Sequence, residues 1–225
     1  MLATLAAAPQ AIATEFDTGN PDLRVETSLN TELGLRVTRS DLTAEFTGFV
    51  NRVSDYIYLR PFGTGARAFD SLQVVQGNAR LAGLEAAVRY HPHDAVTLHA
   101  SGDYVRGDNT TTRVPLTFIP PLRAVYGARV HSPATTGRLR QPYIAVGGES
   151  NARQGRLDPN DVGTPAYTTL YAGAGLTRLL ASGMLTLDLS VRNLLDRRYR
   201  SFMSRYKEFA SAPGRSVTVK VSTTF

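Results

Sequence analysis

The apolar residues of this chain recur with a period of two almost everywhere beyond the first two dozen positions. Successive strand residues point to opposite sides, so this period commits the chain to strands with one apolar and one polar face. The final stretch, PGRSVTVKVSTTF, shows it plainly. Val217, Val219, Val221 and Phe225 share one side, while Ser216, Thr218, Lys220, Ser222 and Thr224 share the other. The same alternation sets Leu29, Leu33, Leu35 and Val37 against Asn30, Glu32 and Arg36, and Leu42, Ala44, Phe46 and Val50 against Thr43, Glu45, Thr47 and Asn51.

Continued along the chain, the pattern predicts an all-β meander of about nine long antiparallel strands. They run over Ser28 to Val37, Leu42 to Leu59, Leu72 to Tyr90, Val96 to Tyr104, Leu122 to Val130, Leu139 to Asn151, Ala166 to Arg178, Met184 to Asn193 and the terminal stretch. The pattern leaves the faces of the sixth strand, Leu139 to Asn151, unassigned. Residues 1–27 read as a loop segment and strand entry, and 28–225 as strands and loops of one domain.

The connections alternate in length. Those at Arg39–Asp41, His91–Ala95, Ser132–Gly137 and Leu179–Gly183 are short; those at Pro61–Asp70, Arg106–Pro121, Ala152–Pro165 and Leu194–Gly214 are long and rich in Gly, Pro, Asn and Arg. One end of the sheet is therefore trimmed and the other elaborated, as in up-and-down membrane barrels. The strands exceed the usual five or six residues of soluble sheets. Tyrosines at 58, 90, 104, 143 and 167 recur near strand ends, where an aromatic girdle would lie. Alternation alone also suits a soluble β-barrel or sandwich binding module, with the apolar face turned into a dry core. A small, purely structural outer-membrane barrel is a third possibility.

Composition narrows the function. There is no cysteine, which removes thiol catalysis, disulfides and thiolate zinc sites. The net charge of +6 comes from arginines spread along the chain rather than clustered on one face, so no nucleic-acid partner is expected. No stretch approaches the roughly 18 apolar residues of a spanning helix. The opening MLATLAAAPQAIATEF could pass for a signal peptide, with Ala11-Ile12-Ala13 at a cleavage site, but it lacks a basic start and Pro9 interrupts it.

The stretch VRNLLDRRYRSFMSRYKEFASAPGRSVTVKVSTTF, Val191 to Phe225, resembles the C-terminal hairpin of TonB-dependent outer-membrane receptors. In that family an Asn-Leu-hydrophobic-Asp segment, here Asn193 to Asp196, ends the penultimate strand. A tyrosine follows (here Tyr199), then a long outer loop, a Pro-Gly-Arg and a last strand ending on an aromatic residue. GNPDLRVETSLNTELGLRV, Gly19 to Val37, is similar to the family's Asn-Pro segment leading from an outer loop into a strand. Asn51, Arg52 and DYIYLRP at Asp55 to Pro61 look like the outer part of the next strand.

The resemblance covers Pro9 to Phe225 and implies the C-terminal portion of a transmembrane barrel of about 22 strands, without its plug domain. It makes Ala6 to Phe16 loop rather than signal peptide. It implies an outer-membrane location in a Gram-negative cell and no enzymatic activity. The intact parent would take up a scarce ligand such as a metal chelate or cobalamin, while this portion alone would transport nothing. Expected partners are outer-membrane lipid and lipopolysaccharide, the barrel assembly machinery through Phe225, and TonB only through an absent N-terminal region.

No catalytic set is apparent and no cofactor is expected. His91 and His93 flank Pro92 in a short turn without a third ligand nearby, so no metal site is expected. Gly173-Ala174-Gly175 lies within a strand rather than before a helix, which rules out a phosphate loop. The charged residues of the polar face are the lumen-facing candidates: Glu32, Arg36, Glu45, Glu85, Arg89, Asp103, Arg123, Arg129, Asp188 and Arg192. In a whole receptor they would hydrate the lumen and hold the plug. Arg198, Tyr199, Arg200, Arg205, Tyr206 and Lys207 are candidates for contact with an anionic ligand or with lipopolysaccharide phosphates.

Overall fold

The computed structural model describes residues 16–18, 20–61, 71–132, 137–159 and 161–224. The strands are β1 Phe16–Thr18, β2 Thr27–Thr38, β3 Leu42–Pro61, β4 Ser71–His93, β5 Val96–Asn109, β6 Arg123–His131, β7 Leu139–Asn151, β8 Tyr167–Leu180, β9 Gly183–Arg192 and β10 Ser216–Thr224. From β2 to β10 each strand bonds to its chain neighbour, giving an open up-and-down antiparallel sheet whose edges are β2 and β10. Phe225, 1–15 and 62–70 fall outside the described residues, and with them the terminal-aromatic and leader readings.

One pairing departs from the all-antiparallel expectation. Short β1 runs parallel to β4, with Phe16 opposite Ser71 and Thr18 opposite Gln73. At three residues it is too short to show a period. It bonds to an upper part of β4 that β5 leaves open, since β5 reaches only to Asn109 opposite Ala79.

Register carries the two faces unbroken across the sheet. Leu35 lies opposite Phe46, Phe46 opposite Ala86, and Ala86 opposite Gly102. Farther along, Val130 meets Ile144, Ile144 meets Ala174, Ala174 meets Leu189, and Leu189 meets Val219. This resolves β7: Ile144 and Val146 share the apolar face, whereas Tyr143, Ala145, Gly147 and Glu149 share the polar one.

The apolar face is bare. Leu33 is 82% exposed, Leu29 67%, Val219 67% and Ile144 65%. Among the described residues these side chains do not pack into an interior, so the sheet is not one half of a dry-cored sandwich. The principal buried apolar cluster is Val53, Ala79 and Leu116, with Tyr56, Tyr58, Leu81 and Ile119 against it. It sits on the opposite face, at the long-loop end.

A bulge explains that cluster and corrects the tyrosine girdle. Between Val53 and Tyr56 strand β3 carries one residue more than β4, because Val53 pairs with Ala79 but Tyr56 with Gly77. An extra residue inverts the side-chain parity beyond it. Tyr56 and Tyr58 therefore turn to the polar side, where their rings stack 5.8 Å apart. Tyr143 and Tyr167 are also on that side by register, paired with Gly175 and Asn151. Of the five expected girdle tyrosines, Tyr90 and Tyr104 lie on the apolar face.

Candidate functional site

The polar face and the long loops above it form the candidate site, and the loop bases are tied by the motifs singled out in the sequence. In the Asn-Pro segment, the Asn20 side chain accepts the Asp22 N–H at 2.9 Å, a local Asx turn. Arg24 pairs with Asp55 at 2.9 Å, and Glu26 accepts the Ile57 N–H at 2.9 Å. Gln76 joins them, donating to the carbonyls of Arg24 and Asp55. Asp55 occupies the left-handed region at φ 57°, within the bulge. The segment thus clamps the bulge and sets the entry into β2.

Asn193-Leu-Leu-Asp196 does the same at the other end. Asn193 and Asp196 have φ of 47° and 52°, a region that Asn and Asp tolerate better than other non-glycine residues. The Asn193 amide donates to the carbonyls of Arg197 and Pro213 and accepts the Arg197 N–H at 2.9 Å. Asp196 accepts the Arg215 N–H at 2.7 Å. A Cβ on Gly214 would lie 2.8 Å from the Asp196 carboxylate, so the Pro-Gly-Arg needs its glycine there. The two motifs fasten both ends of one long loop at the top of β9 and β10.

Above these bases three loops interlock. Gln154 donates to the carbonyl of Ile119 at 2.6 Å, and Arg156 to that of Gly107 at 3.0 Å while pairing with Asp108. Asp158, 1% exposed, pairs with Arg60 at 3.2 Å. Lys207 donates to Asp161 at 2.6 Å, each side chain 5% exposed. Its ammonium lies 3.8 Å from the centroid of the Phe202 ring and 5.6 Å from that of Phe118. Buried charges hold only when paired and hydrogen-bonded, and this one is also flanked by ring faces. Asn109 caps the first loop by accepting the N–H groups of Thr111 and Thr112, and donates to the Tyr58 hydroxyl.

Register puts all ten charged wall candidates on the polar face. Arg36 pairs with Glu45 at 3.0 Å and Arg123 with Asp103 at 3.3 Å. Glu85 stands directly opposite Asp103, and Arg89 opposite His99. Asp188 accepts the Tyr143 hydroxyl at 2.8 Å, and the Arg129 guanidinium lies 3.7 Å over that same ring. Arg129, Tyr143 and Arg192 line a concavity of about 740 Å³ with Glu149 and Tyr171. Glu32 lies on the edge strand β2, opposite Phe49.

The six loop candidates divide. Arg198, Arg200, Arg205 and Tyr206 are exposed. Tyr199 packs on Tyr167, ring centroids 4.4 Å apart. Lys207 is turned inward to Asp161, which corrects its expected place at an outer contact surface: alternation has no bearing on a turn, and the neighbouring loop supplies a buried carboxylate.

Sequence reading missed how aromatic rings lie along the wall. Tyr171 reaches across Gly147 and Gly127 to hydrogen-bond His99 Nε2 at 3.2 Å, and a Cβ at either glycine would fall on its hydroxyl. Tyr143 crosses Gly175 in the same way, and Phe49 crosses Gly83. The discoverable signal was glycine recurring on the polar face opposite aromatic residues, as at Gly147 opposite Tyr171. Among the described residues no group of three or more His, Cys, Asp or Glu could hold a metal ion.

A family model described as TonB-dependent receptor-like, β-barrel, matches residues 3–194. A search of curated proteins finds no match. Several solved structures share the fold. The copper transporter OprC superposes with a TM-score of 0.76 at 22% identity, over 91% of this chain and 33% of its own. BauA, the ferric preacinetobactin receptor of Acinetobacter baumannii, gives 0.67 at 19% identity, over 87% and 29%. The ferric citrate transporter FecA gives 0.66 at 20% identity, over 86% and 30%. The chain thus spans about a third of the length of these structures. Family members are outer-membrane transport receptors rather than enzymes. With the family model covering most of its length and the sheet matching part of their barrels, this chain belongs to the TonB-dependent receptor β-barrel family.

Proposed function

We propose that this chain forms the C-terminal third of a TonB-dependent receptor and that the whole receptor imports a scarce ligand such as a metal chelate or cobalamin. The observation that carries the reading is the bare apolar face. Leucines and valines more than half exposed on β2, β4, β6, β7 and β10 suit hydrocarbon on that side and water on the other. Copper, ferric preacinetobactin and ferric citrate, in the names of the similar structures, favour metal uptake. Exposed Arg198, Arg200 and Arg205 suit an anionic chelate approaching from outside. The same arginines suit lipopolysaccharide phosphates at the rim, and Phe225 suits recognition by the assembly machinery. TonB would act N-terminal to the barrel, and this third alone would not carry ligand across a membrane, since an open sheet encloses no lumen.

The absence of native cysteine makes a direct test simple. Single substitutions Leu187→Cys and Val219→Cys, in the chain refolded into vesicles, should resist a charged water-soluble maleimide. A fluorophore placed there should be quenched by brominated acyl chains. Asp188→Cys and Thr218→Cys should label readily. Equal labelling of the two sets, or the reverse order, ends the reading.

A further inference from the structure

Charge returns to the apolar face of β3, β4 and β5 at one level. On β4 that face runs uncharged from Tyr90 through Val88, Ala86, Leu84 and Ala82, and its next position is Arg80. On β3 the position above Val50 is Arg52, and on β5 the position above Tyr104 is Arg106. From Tyr90 to Arg80 the strand advances ten positions, at roughly 3.4 Å each. With strands tilted by about 35–45°, the rise is about 25 Å, the height of the apolar band of an outer-membrane barrel. The arginines therefore sit at the margin of that band, on the side of the long loops.

Two of the three are unmatched. Arg52 stands directly opposite Arg80, and like charges facing each other across an antiparallel pair repel. Both are exposed. Among the described residues neither is in an ion pair. Asp108 lies opposite Arg80 on its other side, but Arg106 and Arg156 hold one of its carboxylate oxygens each. Beyond Arg52, Asp55 pairs with Arg24, and Glu26 accepts the Ile57 N–H. Two facing guanidinium groups at a hydrocarbon margin lack an anion that enters from the membrane side.

We propose that Arg52 and Arg80 clamp the phosphomonoester headgroup of an outer-leaflet lipid. The inference rests on the reading that the apolar face is turned toward hydrocarbon. Residues directly opposite in an antiparallel pair carry their Cβ atoms about 4.5–5.5 Å apart, so both guanidinium forks reach one phosphate. Charge selects the class of lipid. A phosphomonoester carries about −1.5 to −2 at neutral pH, on three terminal oxygens, and so matches two cations. A phosphodiester carries a single charge on two free oxygens and leaves one cation unmatched. Val50, Ala82 and Leu84, directly beneath, offer the uncharged surface that its acyl chains need. The clamp is separate from Arg198, Arg200 and Arg205, which lie between β9 and β10 at the other edge of the sheet.

The test uses the 225-residue chain refolded into phosphatidylcholine vesicles, with a fluorophore on Leu84→Cys beneath the clamp. A minor part of the lipid is replaced by brominated phosphatidic acid, a phosphomonoester, or by brominated phosphatidylglycerol, a phosphodiester. Quenching then reports how far each lipid is enriched beside the dye. Relative to brominated phosphatidylcholine, phosphatidic acid should be enriched about tenfold and phosphatidylglycerol about threefold or less. Arg52→Gln and Arg80→Gln should each lower the phosphatidic acid enrichment about threefold, and together remove it. Arg178→Gln takes the same charge from the same face at the short-turn end of β8. It should change the enrichment by less than about twofold. Equal enrichment of the two anionic lipids, no loss from the arginine pair, or an equal loss from Arg178→Gln overturns the proposal. Relief of quenching by inorganic phosphate at the lipid's own concentration overturns it as well, by making this a site for free anions. Should the double variant not fold, the two single variants decide the matter. The cysteine labelling described above separates the failures: correct labelling with no phosphatidic acid enrichment defeats this inference alone, and inverted labelling defeats the hydrocarbon reading and this inference with it.

Discussion

The strand wall and the loops above it handle burial in opposite ways. On the wall, leucines and valines stand uncovered, and the sheet holds through its ladder and through whatever covers its apolar side. Among the loops, charged and polar groups are buried alongside Leu116 and Phe202: Asp158, Lys207, Thr164 and Gln154 are each at most 7% exposed. A lipid solvent accounts for the first arrangement, since hydrocarbon makes an exposed leucine favourable and an exposed charge costly. The second is what a water-facing assembly needs when three irregular segments must satisfy their own backbone groups. Lys207 with Asp161, Gln154 with Ile119 and Asn193 with Pro213 replace the ladder that strands possess.

The largest expected effect breaks the loop side of the comparison. Lys207→Met leaves Asp161 buried without its partner, at a cost of about 3–5 kcal/mol. Hydrogen exchange should accelerate in residues 152–166 and 201–210 while β2 to β5 stay protected; adding Asp161→Asn should restore most of the protection. Loss spread evenly over the wall would show that the loops and the wall are one cooperative unit.

On the wall side, Leu187→Arg and Val219→Arg should each cost about 2–4 kcal/mol in vesicle unfolding experiments if they lie near the midplane. Thr186→Arg and Thr218→Arg, one residue away on the polar face, should cost far less. Similar damage from both pairs would contradict the face assignment.

The smallest effect sharpens the description of the wall itself. Gly147→Ala drives a methyl group against the Tyr126 carbonyl oxygen and the Tyr171 ring and should destabilise by about 1–3 kcal/mol in thermal unfolding. Gly34→Ala meets nothing closer than Thr47 Oγ1 at 3.7 Å and should be neutral or slightly stabilising. If both were neutral, the neighbouring strand and the ring would both have room to move and the slot would not matter.

Periodicity alone established β2 to β10, their order and the identity of each face, except on β7, on β8 and beyond the β3 bulge. Two-residue alternation is a local property, and a meander of neighbours requires no long-range information. The Asn193 and Pro213 motifs were legible as a resemblance; their work as side-chain caps for left-handed residues became visible only with Asp196 and Arg215 brought together. The girdle tyrosines show the limit. Tyr58 was misassigned because the extra residue at the β3 bulge inverts parity, and its cause, the clamp of Arg24, Glu26 and Gln76 around Asp55, spans three separate segments.

The sequence by itself determined that this chain is a run of two-faced strands, because a side chain's side of the sheet follows from its position along the strand. Only the tertiary structure decided which charges are matched: Arg36 by Glu45, Lys207 by Asp161, and neither Arg89 nor Arg129 among the described residues. Pairing depends on the register between strands and on how loops fold across one another, and neither is written in any single segment.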